Sequence, residues 1–168
     1  MNSHPGGIKH TKELLKLSGL NPGAQIIDFG AGGGEAVELM NHLGFKACGI
    51  DIEPRSDEII KENFLSTSFP DSSFDGVLSQ CSFYISGNST KAIKEAHRLL
   101  KDNGILMLSD IWFSSPEEQL NRDFEILYQK DITEQWKEYF IESIWSEDVP
   151  PCSFKNKCRY ITTICRKK

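Results

Sequence analysis

The glycine-rich segment 28–34 constrains the fold of this chain more than any other feature. Gly30, Gly32, Gly33 and Gly34 follow the apolar run 24–29, and an amphipathic helical pattern begins at about position 35. Glycine permits positive φ angles and lets a ligand approach the backbone closely. The segment therefore predicts a sharp turn from a buried strand into a helix, with a ligand site beside the turn.

The spacing of these glycines separates one class of ligand from another. A dinucleotide loop of the form G-x-G-x-x-G requires a further glycine where the chain has Glu35, counted from Gly30, or Val37, counted from Gly32. The lysine of a phosphate-binding P-loop is also missing. A glutamate directly after the loop repels a pyrophosphate at the helix N-terminus. The loop therefore favours a ligand that is neutral or cationic at this point.

An acidic residue ends the second predicted strand, 46–51. Asp51 comes about 20 residues after the glycine loop begins, and Glu53 follows two positions later. A carboxylate in this place can accept hydrogen bonds from both hydroxyls of a ribose. A strand-end aspartate on its own also fits ordinary turn chemistry, but its order after the glycine loop favours ribose binding, with Glu53 as a second candidate.

Strand-like and helix-like segments alternate along the chain. The apolar patterns predict strands at 24–29, 46–51, 58–63, 74–80 and 105–111 and closing strands at 140–146 and 158–166. The helical patterns predict helices at 9–18, 35–43, 90–101 and 115–129, with a further helix start at 131–134. Such alternation implies an α/β fold with a mainly parallel sheet, whose ligands bind at the carboxyl ends of the strands.

Two connections of the predicted sheet are unusually poor in helix. Residues 52–57 are too few for a crossover helix, and 64–73 have no helical period. We therefore expect reduced helices between strands 2, 3 and 4 and one thinly covered sheet face. The C-terminal helices or the second copy in a homodimer are the two candidates for shielding that face.

Composition excludes several other classes of protein. The 168 residues fit one domain, 39% hydrophobic and 26% charged, with no apolar run of the roughly 18 residues that span a bilayer. The net charge of −5 does not favour nucleic acid. Five cysteines without a C-x-x-C pair do not indicate a disulfide framework or a metal site. We expect a cytoplasmic protein that binds neither membrane nor nucleic acid.

With these segments in place, the chain resembles the class I methyltransferases that use S-adenosylmethionine. The resemblance covers about residues 20–112 and rests on four segments: IIDFGAGGG (26–34), GIDIEP (49–54), FPDSSFDGV (69–77) and EAHRLLKDNGIL (95–106). It implies a three-layer Rossmann-like sheet, mostly parallel with an antiparallel strand near the C-terminus. It also implies S-adenosyl-L-methionine as the cofactor of a single domain spanning 1–168.

The resemblance assigns a role to individual residues at the cofactor. The loop shapes the methionine end, Asp51 holds the ribose, and Ile52 packs on the adenine. The family has an acidic residue after the third strand, and this chain has Asn63, whose side-chain carbonyl can still accept from the adenine amino group. Residues 79–81 bring backbone groups near the amino-acid moiety. The candidate cofactor-binding residues are Asp28, Gly30, Ala31, Gly32, Gly34, Asp51, Ile52, Asn63, Phe64, Ser79 and Gln80.

The two ends of the chain carry less information. The start His4-Pro5-Gly6-Gly7 with Thr11 looks like that of some small methyltransferases, which implies that 1–20 form a helix and a lid over the cofactor. A frayed terminus is the alternative. Residues 113–168 supply C-terminal helices and closing strands but no recognisable acceptor-binding motif.

No single catalytic side chain follows from the sequence, because the sulfonium of the implied cofactor is itself an electrophile. The candidates near the reaction centre are His4, Cys81, Tyr84, Asp110 and Trp112. We expect in-line attack on the sulfonium methyl by a small-molecule acceptor whose reacting atom stays open. The alternatives are a catalytically silent S-adenosylmethionine-binding scaffold or sensor and thiol-assisted methylation of a metalloid such as arsenite. The last would use Cys81, Cys152 and Cys158. A nicotinamide oxidoreductase is disfavoured by the glycine spacing.

Overall fold

The computed structural model describes residues 4–144 and 158–168. This part of the chain forms five helices, namely α1 (Gly7–Ser18), α2 (Glu35–His42), α3 (Ser89–Leu99), α4 (Pro116–Leu120) and α5 (Thr133–Ile144). Its strands are β1 (Gln25–Phe29), β2 (Lys46–Asp51), β3 (Ile60–Lys61), β4 (Phe74–Gln80), β5 (Leu100–Trp112), β6 (Phe124–Asp131) and β7 (Arg159–Lys167). No helix among these is long and apolar enough to cross a bilayer.

All described strands join one sheet in the order β3-β2-β1-β4-β5-β7-β6. The pairs from β3 to β5 are parallel, and β7 runs antiparallel to both β5 and β6. The predicted mostly parallel sheet with an antiparallel strand near the C-terminus is confirmed. The chain leaves β1 toward β2 on one side and later returns to β4 on the other. This switch point opens a crevice at the carboxyl ends of β1 and β4.

Helices cover both faces of the sheet and give three layers. Leu14 of α1 and Met40 of α2 pack with Ile26 of β1 on one face. Ala96 of α3 packs with Ile27 of β1 on the other. Neighbouring residues of β1 are thus buried on opposite faces, which is why this strand has a continuous apolar sequence.

The connections around β3 contain no helix from 52 to 59 or from 62 to 73, so the predicted reduction is confirmed. The second connection covers the sheet with side chains instead, since Phe64 and Phe69 pack in the α3-side core. Leu120 of α4 joins the same core, so a C-terminal helix shields part of this face. The homodimer stays a prediction.

A polar network fastens the second connection onto α3. Glu95 Oε1 accepts from the backbone N–H of Thr67 at 2.8 Å, and Arg98 donates to the carbonyl of Phe69 at 2.9 Å. Arg98 also pairs with Glu95 and with Asp71, each at 2.6 Å. The network replaces part of the packing that a crossover helix would supply.

Several predicted boundaries were wrong toward the C-terminus. The helix predicted over 115–129 ends at Leu120, and Phe124–Asp131 is strand β6. In β6 the more buried positions alternate with exposed ones from Phe124 to Tyr128, a period of two that the helix start at Ser115 obscured. The strand predicted at 140–146 is also wrong over 140–144, which belong to α5, and 145–146 lie outside the described residues.

The other differences are smaller. The predicted third strand shrinks to the two residues of β3. Helix α3 ends at Leu99 because β5 begins at the next residue. Asn103, with a φ of 62°, lies in the irregular first part of β5 rather than in a turn after the helix.

Candidate functional site

A cleft of about 520 Å³ opens at the carboxyl ends of β1, β2 and β4. Nine of the residues predicted from the sequence to bind a cofactor line it: Asp28, Gly30, Ala31, Gly32, Asp51, Ile52, Asn63, Phe64 and Gln80. Glu53 and two of the candidates for the reaction centre, His4 and Cys81, line it as well. The fold therefore brings together groups that are far apart in the chain.

The glycine loop is the floor of this cleft. The N–H groups of Gly30 and Ala31 both donate to the carbonyl of Ile50, at 2.9 and 3.0 Å, which ties the loop to β2. Gly32 has a φ of 55°, and a Cβ built on it would lie 2.6 Å from Nη2 of Arg55. The backbone angle favours glycine at position 32, and the exposed Arg55 side chain would have to move to admit a Cβ.

Asp51 joins the loop to the end of β2. Its Oδ2 accepts from the N–H of Gly32 at 2.9 Å, and its Oδ1 accepts from the N–H of Glu53 at 2.9 Å. A carboxylate has about four acceptor positions. Asp51, which is half-buried in the cleft wall, therefore keeps capacity to accept from a ligand that carries two neighbouring hydroxyls.

The cleft is rich in negative charge. Asp28 is buried, and burial raises the pKa of its carboxyl to about 7, with further upward contributions from Asp51 and Glu35. Arg55 is the only lysine or arginine among the described lining residues. A cation bound near Asp28 would hold this carboxyl in its ionised form.

An apolar surface lies next to these charges. Ile52 is 58% exposed, and the ring of Phe64 stacks on Phe29 with centroids 5.3 Å apart. Asn63 also lines the cleft, and its Oδ1 accepts from the N–H of Leu65 at 2.9 Å. This combination of apolar groups and a side-chain amide suits a planar heterocycle.

Five predicted residues do not line the cleft: Gly34, Ser79, Tyr84, Asp110 and Trp112. Ser79 is fully buried, and its hydroxyl donates to the carbonyl of Phe29 at 3.5 Å. Because Gly34 has no side chain, Ile59 can pack against it. A Cβ built at position 34 would lie 3.1 Å from the Ile59 side chain. Asp110 acts from behind the wall. Its Oδ2 accepts from the N–H of Phe83 at 2.7 Å and so holds the segment after β4.

Seven other lining residues in the described part of the chain were not among the predicted site residues: Glu35, Ala36, Arg55, Leu65, Ser82, Ile85 and Ser86. Three of them belong to the segment 82–86 directly after β4. The rule that ligands bind at strand carboxyl ends could have identified this segment. For Arg55 we find no sequence signal, because its approach to Gly32 depends on the path of the β2–β3 connection.

The two remaining candidates for catalysis are both held by neighbours. His4 is buried, which lowers the pKa of its imidazole, and its ring nitrogens contact Gln80 and Thr11. Cys81 Sγ lies 2.9 Å from the hydroxyl of Tyr160, and burial raises the pKa of the thiol to about 12. The thiol is therefore protonated at neutral pH.

Only two of the three cysteines in the hypothesis of a metalloid site lie among the described residues. Cys81 and Cys158 both pack against the small core cluster around Tyr160. Cys152 lies outside the described residues. The hypothesis stays a prediction.

Comparison with known proteins gives a family match over most of the chain. The sequence profile of a family described as "Methyltransferase domain" matches residues 9–146. The 2-methyl-6-phytyl-1,4-hydroquinone methyltransferase of Synechocystis sp. is 30% identical over 143 residues, which cover 76% of this chain and 45% of the relative. The chain spans about half the length of the curated relatives it matches.

Solved structures share the fold at low sequence identity. The cyclase SpnF superposes with a TM-score of 0.76 and 18% identity, covering 95% of this chain and 80% of that chain. Phosphoethanolamine N-methyltransferase 2 of Haemonchus contortus was solved in complex with S-adenosyl-L-methionine. It superposes with a TM-score of 0.73 and 16% identity, covering 98% of this chain and 53% of that chain. These neighbours confirm the predicted Rossmann-like three-layer fold.

Proposed function

The chain belongs to the methyltransferase domain family, and we propose that it binds S-adenosylmethionine in the described cleft and transfers the methyl group to a small-molecule acceptor. The observation that carries the proposal is the hydrogen bond from the Gly32 N–H to Asp51. It sets a carboxylate with spare acceptor capacity directly beside bare backbone. A ribose next to a backbone-lined loop is the ligand that this arrangement suits.

The remaining lining residues fit the other parts of the same ligand. Ile52 and Phe64 offer apolar surface to an adenine, and the Asn63 amide offers it a hydrogen-bonding group. The carboxylates of Asp28 and Glu35 create a negative potential that favours a positively charged ligand. The protein thus has complementary groups for the base, the sugar and the charge.

When bound, S-adenosylmethionine supplies an electrophilic methyl group on a positively charged sulfur. The residues of the chain align the acceptor with that group and exclude water, and alignment alone can contribute about 7–11 kcal/mol. The candidate proton acceptors are occupied: His4 by Gln80 and Thr11, and Asp110 by backbone N–H groups. We therefore assign no general base, and the acceptor arrives as a competent nucleophile.

A small acceptor is supported by the size of the cleft and by the relative from Synechocystis sp., which is named for a hydroquinone. The two hydroxyls of a hydroquinone make its ring electron-rich, so a ring carbon can attack the methyl group first and release its proton to water afterwards. They are the first acceptors to test, followed by amines, thiols and arsenite.

The experiment measures formation of S-adenosylhomocysteine from S-adenosylmethionine with each acceptor in turn. We expect turnover that depends on the acceptor and that is reduced in Asp51→Ala when S-adenosylmethionine is below saturation. The matched control is Glu58→Ala, which removes an exposed acid outside the cleft. Cofactor binding without turnover on any acceptor would favour the silent scaffold instead. Turnover on arsenite alone, lost in Cys81→Ala, would favour the metalloid reaction.

A further inference from the structure

Three buried side chains form a closed cycle of hydrogen bonds beside the cleft. Thr11 Oγ1 of α1 donates to Gln80 Oε1 at the end of β4, at 3.0 Å. Gln80 Nε2 lies 3.2 Å from His4 Nδ1, and His4 Nε2 lies 3.4 Å from Thr11 Oγ1. The exposed fractions are 7% for His4, 0% for Thr11 and 9% for Gln80. The cycle fastens the start of the chain to a central strand.

The contact between Gln80 Nε2 and His4 Nδ1 selects the tautomer of His4, since the other tautomer, which would donate from Nδ1 to the carbonyl of Pro5 at 3.3 Å, would bring two donors together. An amide nitrogen only donates, so His4 Nδ1 must accept from Gln80. The imidazole proton then resides on Nε2 and is donated to Thr11. The hydroxyl proton of Thr11 goes to Gln80 Oε1 at 3.0 Å, which is closer than the carbonyl of Gly7 at 3.4 Å. Every member donates once and accepts once, provided that His4 is neutral. Burial favours that neutral form, since it lowers the pKa of His4.

The cycle uses only one of the two N–H bonds of the Gln80 amide. Gln80 and His4 line the cleft, whereas Thr11 lies behind them. With Oε1 held by Thr11 and one N–H held by His4, the amide cannot rotate to exchange its oxygen and nitrogen. Gln80 is thus a donor of fixed orientation in the wall formed by the end of β4.

The charges along the cleft indicate what this donor binds. The amino-acid part of S-adenosylmethionine carries an ammonium and a carboxylate. Asp28 and Glu35 match the ammonium by charge but repel the carboxylate. The carboxylate requires an N–H donor. Arg55 lies beside Gly32 and Asp51, at the end of the cleft proposed for the ribose, whereas the second N–H of Gln80 is a donor in the wall segment with uncharged side chains, Gln80 to Ser82.

We propose that the His4–Thr11–Gln80 cycle orients the Gln80 amide so that its second N–H binds the carboxylate of the amino-acid part of the cofactor. The proposal rests on the proposed function. It makes Gln80 a specificity-determining residue, and it makes Thr11 and His4 positioning residues that act through it. It also couples docking of the N-terminal segment to that carboxylate.

The test compares two ligands that share the nucleoside and differ in the amino-acid part. S-adenosylhomocysteine carries the carboxylate, and 5′-methylthioadenosine lacks it. Calorimetric titration of Gln80→Leu should show affinity for S-adenosylhomocysteine reduced roughly 10-fold or more, the scale of a lost hydrogen bond to a charged group. Its affinity for 5′-methylthioadenosine should stay within about twofold of the unmodified protein.

Thr11→Val tests the positioning role without altering Gln80. Valine has nearly the shape of threonine but cannot hold the Gln80 amide oxygen. Thr11→Val should therefore weaken binding of S-adenosylhomocysteine by a smaller factor than Gln80→Leu does. Its affinity for 5′-methylthioadenosine should not change. Thr162→Val is the matched control. It removes a buried hydroxyl that contacts His10 at 3.3 Å in the contact between α1 and the sheet, away from the cleft. It should leave the ratio of the two affinities unchanged.

The outcomes separate this proposal from the proposed function. Equal losses for both ligands in Gln80→Leu, or no loss for either, would overturn the role of Gln80. If the ratio of the affinities for S-adenosylhomocysteine and 5′-methylthioadenosine is unchanged in Thr11→Val, the role of the cycle is overturned. Should Gln80→Leu fail to fold, Thr11→Val decides the question by itself. Failure of the unmodified protein to bind either ligand would instead count against the proposed function itself.

Discussion

The carboxylate of Asp51 and the backbone of Gly32 are joined by a hydrogen bond of 2.9 Å across the gap between β2 and the glycine loop. The two residues are 19 positions apart in the sequence. The hydrogen bond orients the carboxylate toward the cleft. Asp51 therefore has a structural role in the free protein, in addition to the ribose-binding role that we propose for it.

Replacing Asp51 with alanine should weaken binding of S-adenosylhomocysteine by about 1–3 kcal/mol, the scale of hydrogen bonds to a charged group. The loss has two sources: the ribose contacts and the order of the loop. Calorimetric titration measures it, with Glu58→Ala as the control. Equal affinity of Asp51→Ala and the unmodified protein would show that the ribose lies elsewhere.

Gly32→Ala should weaken cofactor binding, because the new methyl group would lie in the cleft, where the exposed Arg55 side chain can move aside but a bound ligand would lose its close approach to the backbone. A positive φ also costs an alanine about 1–2 kcal/mol of folding free energy. Gly19→Ala separates the two effects, since Gly19 has a φ of 68° but open space around it. Both variants should lose similar thermal stability, and only Gly32→Ala should lose binding. Comparable binding losses in the two would contradict the steric explanation.

Asp28→Asn should make the ligand-free protein more stable above pH 7. The folded pKa of Asp28 is about 7, above the ordinary 3.8. The unfolded chain therefore releases this proton first, and the free energy of unfolding falls as pH rises between these two values. Asparagine at this position does not titrate, so the variant does not lose stability in this way. Its unfolding temperature should exceed that of the unmodified protein most at pH 8 and least at pH 4.

The same variant should discriminate between two forms of the cofactor. Loss of the negative charge should weaken binding of cationic S-adenosylmethionine more than binding of uncharged-sulfur S-adenosylhomocysteine. Asp57→Asn, at a position outside the cleft, is the control for both measurements. Parallel stability profiles for Asp28→Asn and the unmodified protein would place the titrating group elsewhere.

Glu95→Gln should destabilise the fold at neutral pH. Burial alone raises the pKa of Glu95, but hydrogen bonds from Arg98 and Thr67 outweigh it and bring the pKa to about 2. Ionised Glu95 therefore contributes stability above its unfolded value of 4.5, and that contribution is lost as pH falls toward 2. Because the substituted amide would retain the Thr67 contacts but not the charge, we expect a cost of about 1–3 kcal/mol at pH 7.

Chemical denaturation across this pH range measures the difference. The difference in free energy of unfolding between Glu95→Gln and the unmodified protein should become smaller below pH 4.5. The control variant Glu58→Gln should have the same free energy of unfolding as the unmodified protein. A cost independent of pH would mean that residue 95 acts through shape rather than charge.

The parts of the fold that the sequence predicted well are those set by short-range patterns. The bounds of β2 and β4 agree with the predicted strands because each contains a short apolar segment and ends at a polar residue, Asp51 or Gln80. Strand β6 was missed because its identity depends on pairing with β7, about 30 or more positions away. The proline and glutamates after Ser115 do begin α4, but nothing local shows that the helix ends after five residues.

The candidate site also has residues that local sequence could predict and residues that it could not. The glycine loop and Asp51 were predictable because their spacing along the chain reflects a strand–turn–helix unit followed by a strand. The resemblance implied that residues 79–81 lie near the cofactor, but successive strand residues face opposite sides, so Ser79 is buried while Gln80 lines the cleft. The cycle of His4, Thr11 and Gln80 joins residues up to 76 positions apart, so it required the folded structure.

A crystal structure of the protein with S-adenosylhomocysteine tests the central claim most directly. The ribose hydroxyls should donate to the carboxylate of Asp51, the adenine should contact Ile52 and Phe64, and the amino-acid carboxylate should accept from Gln80. A ligand bound with its ribose away from Asp51, or outside the cleft above the glycine loop, would contradict the account.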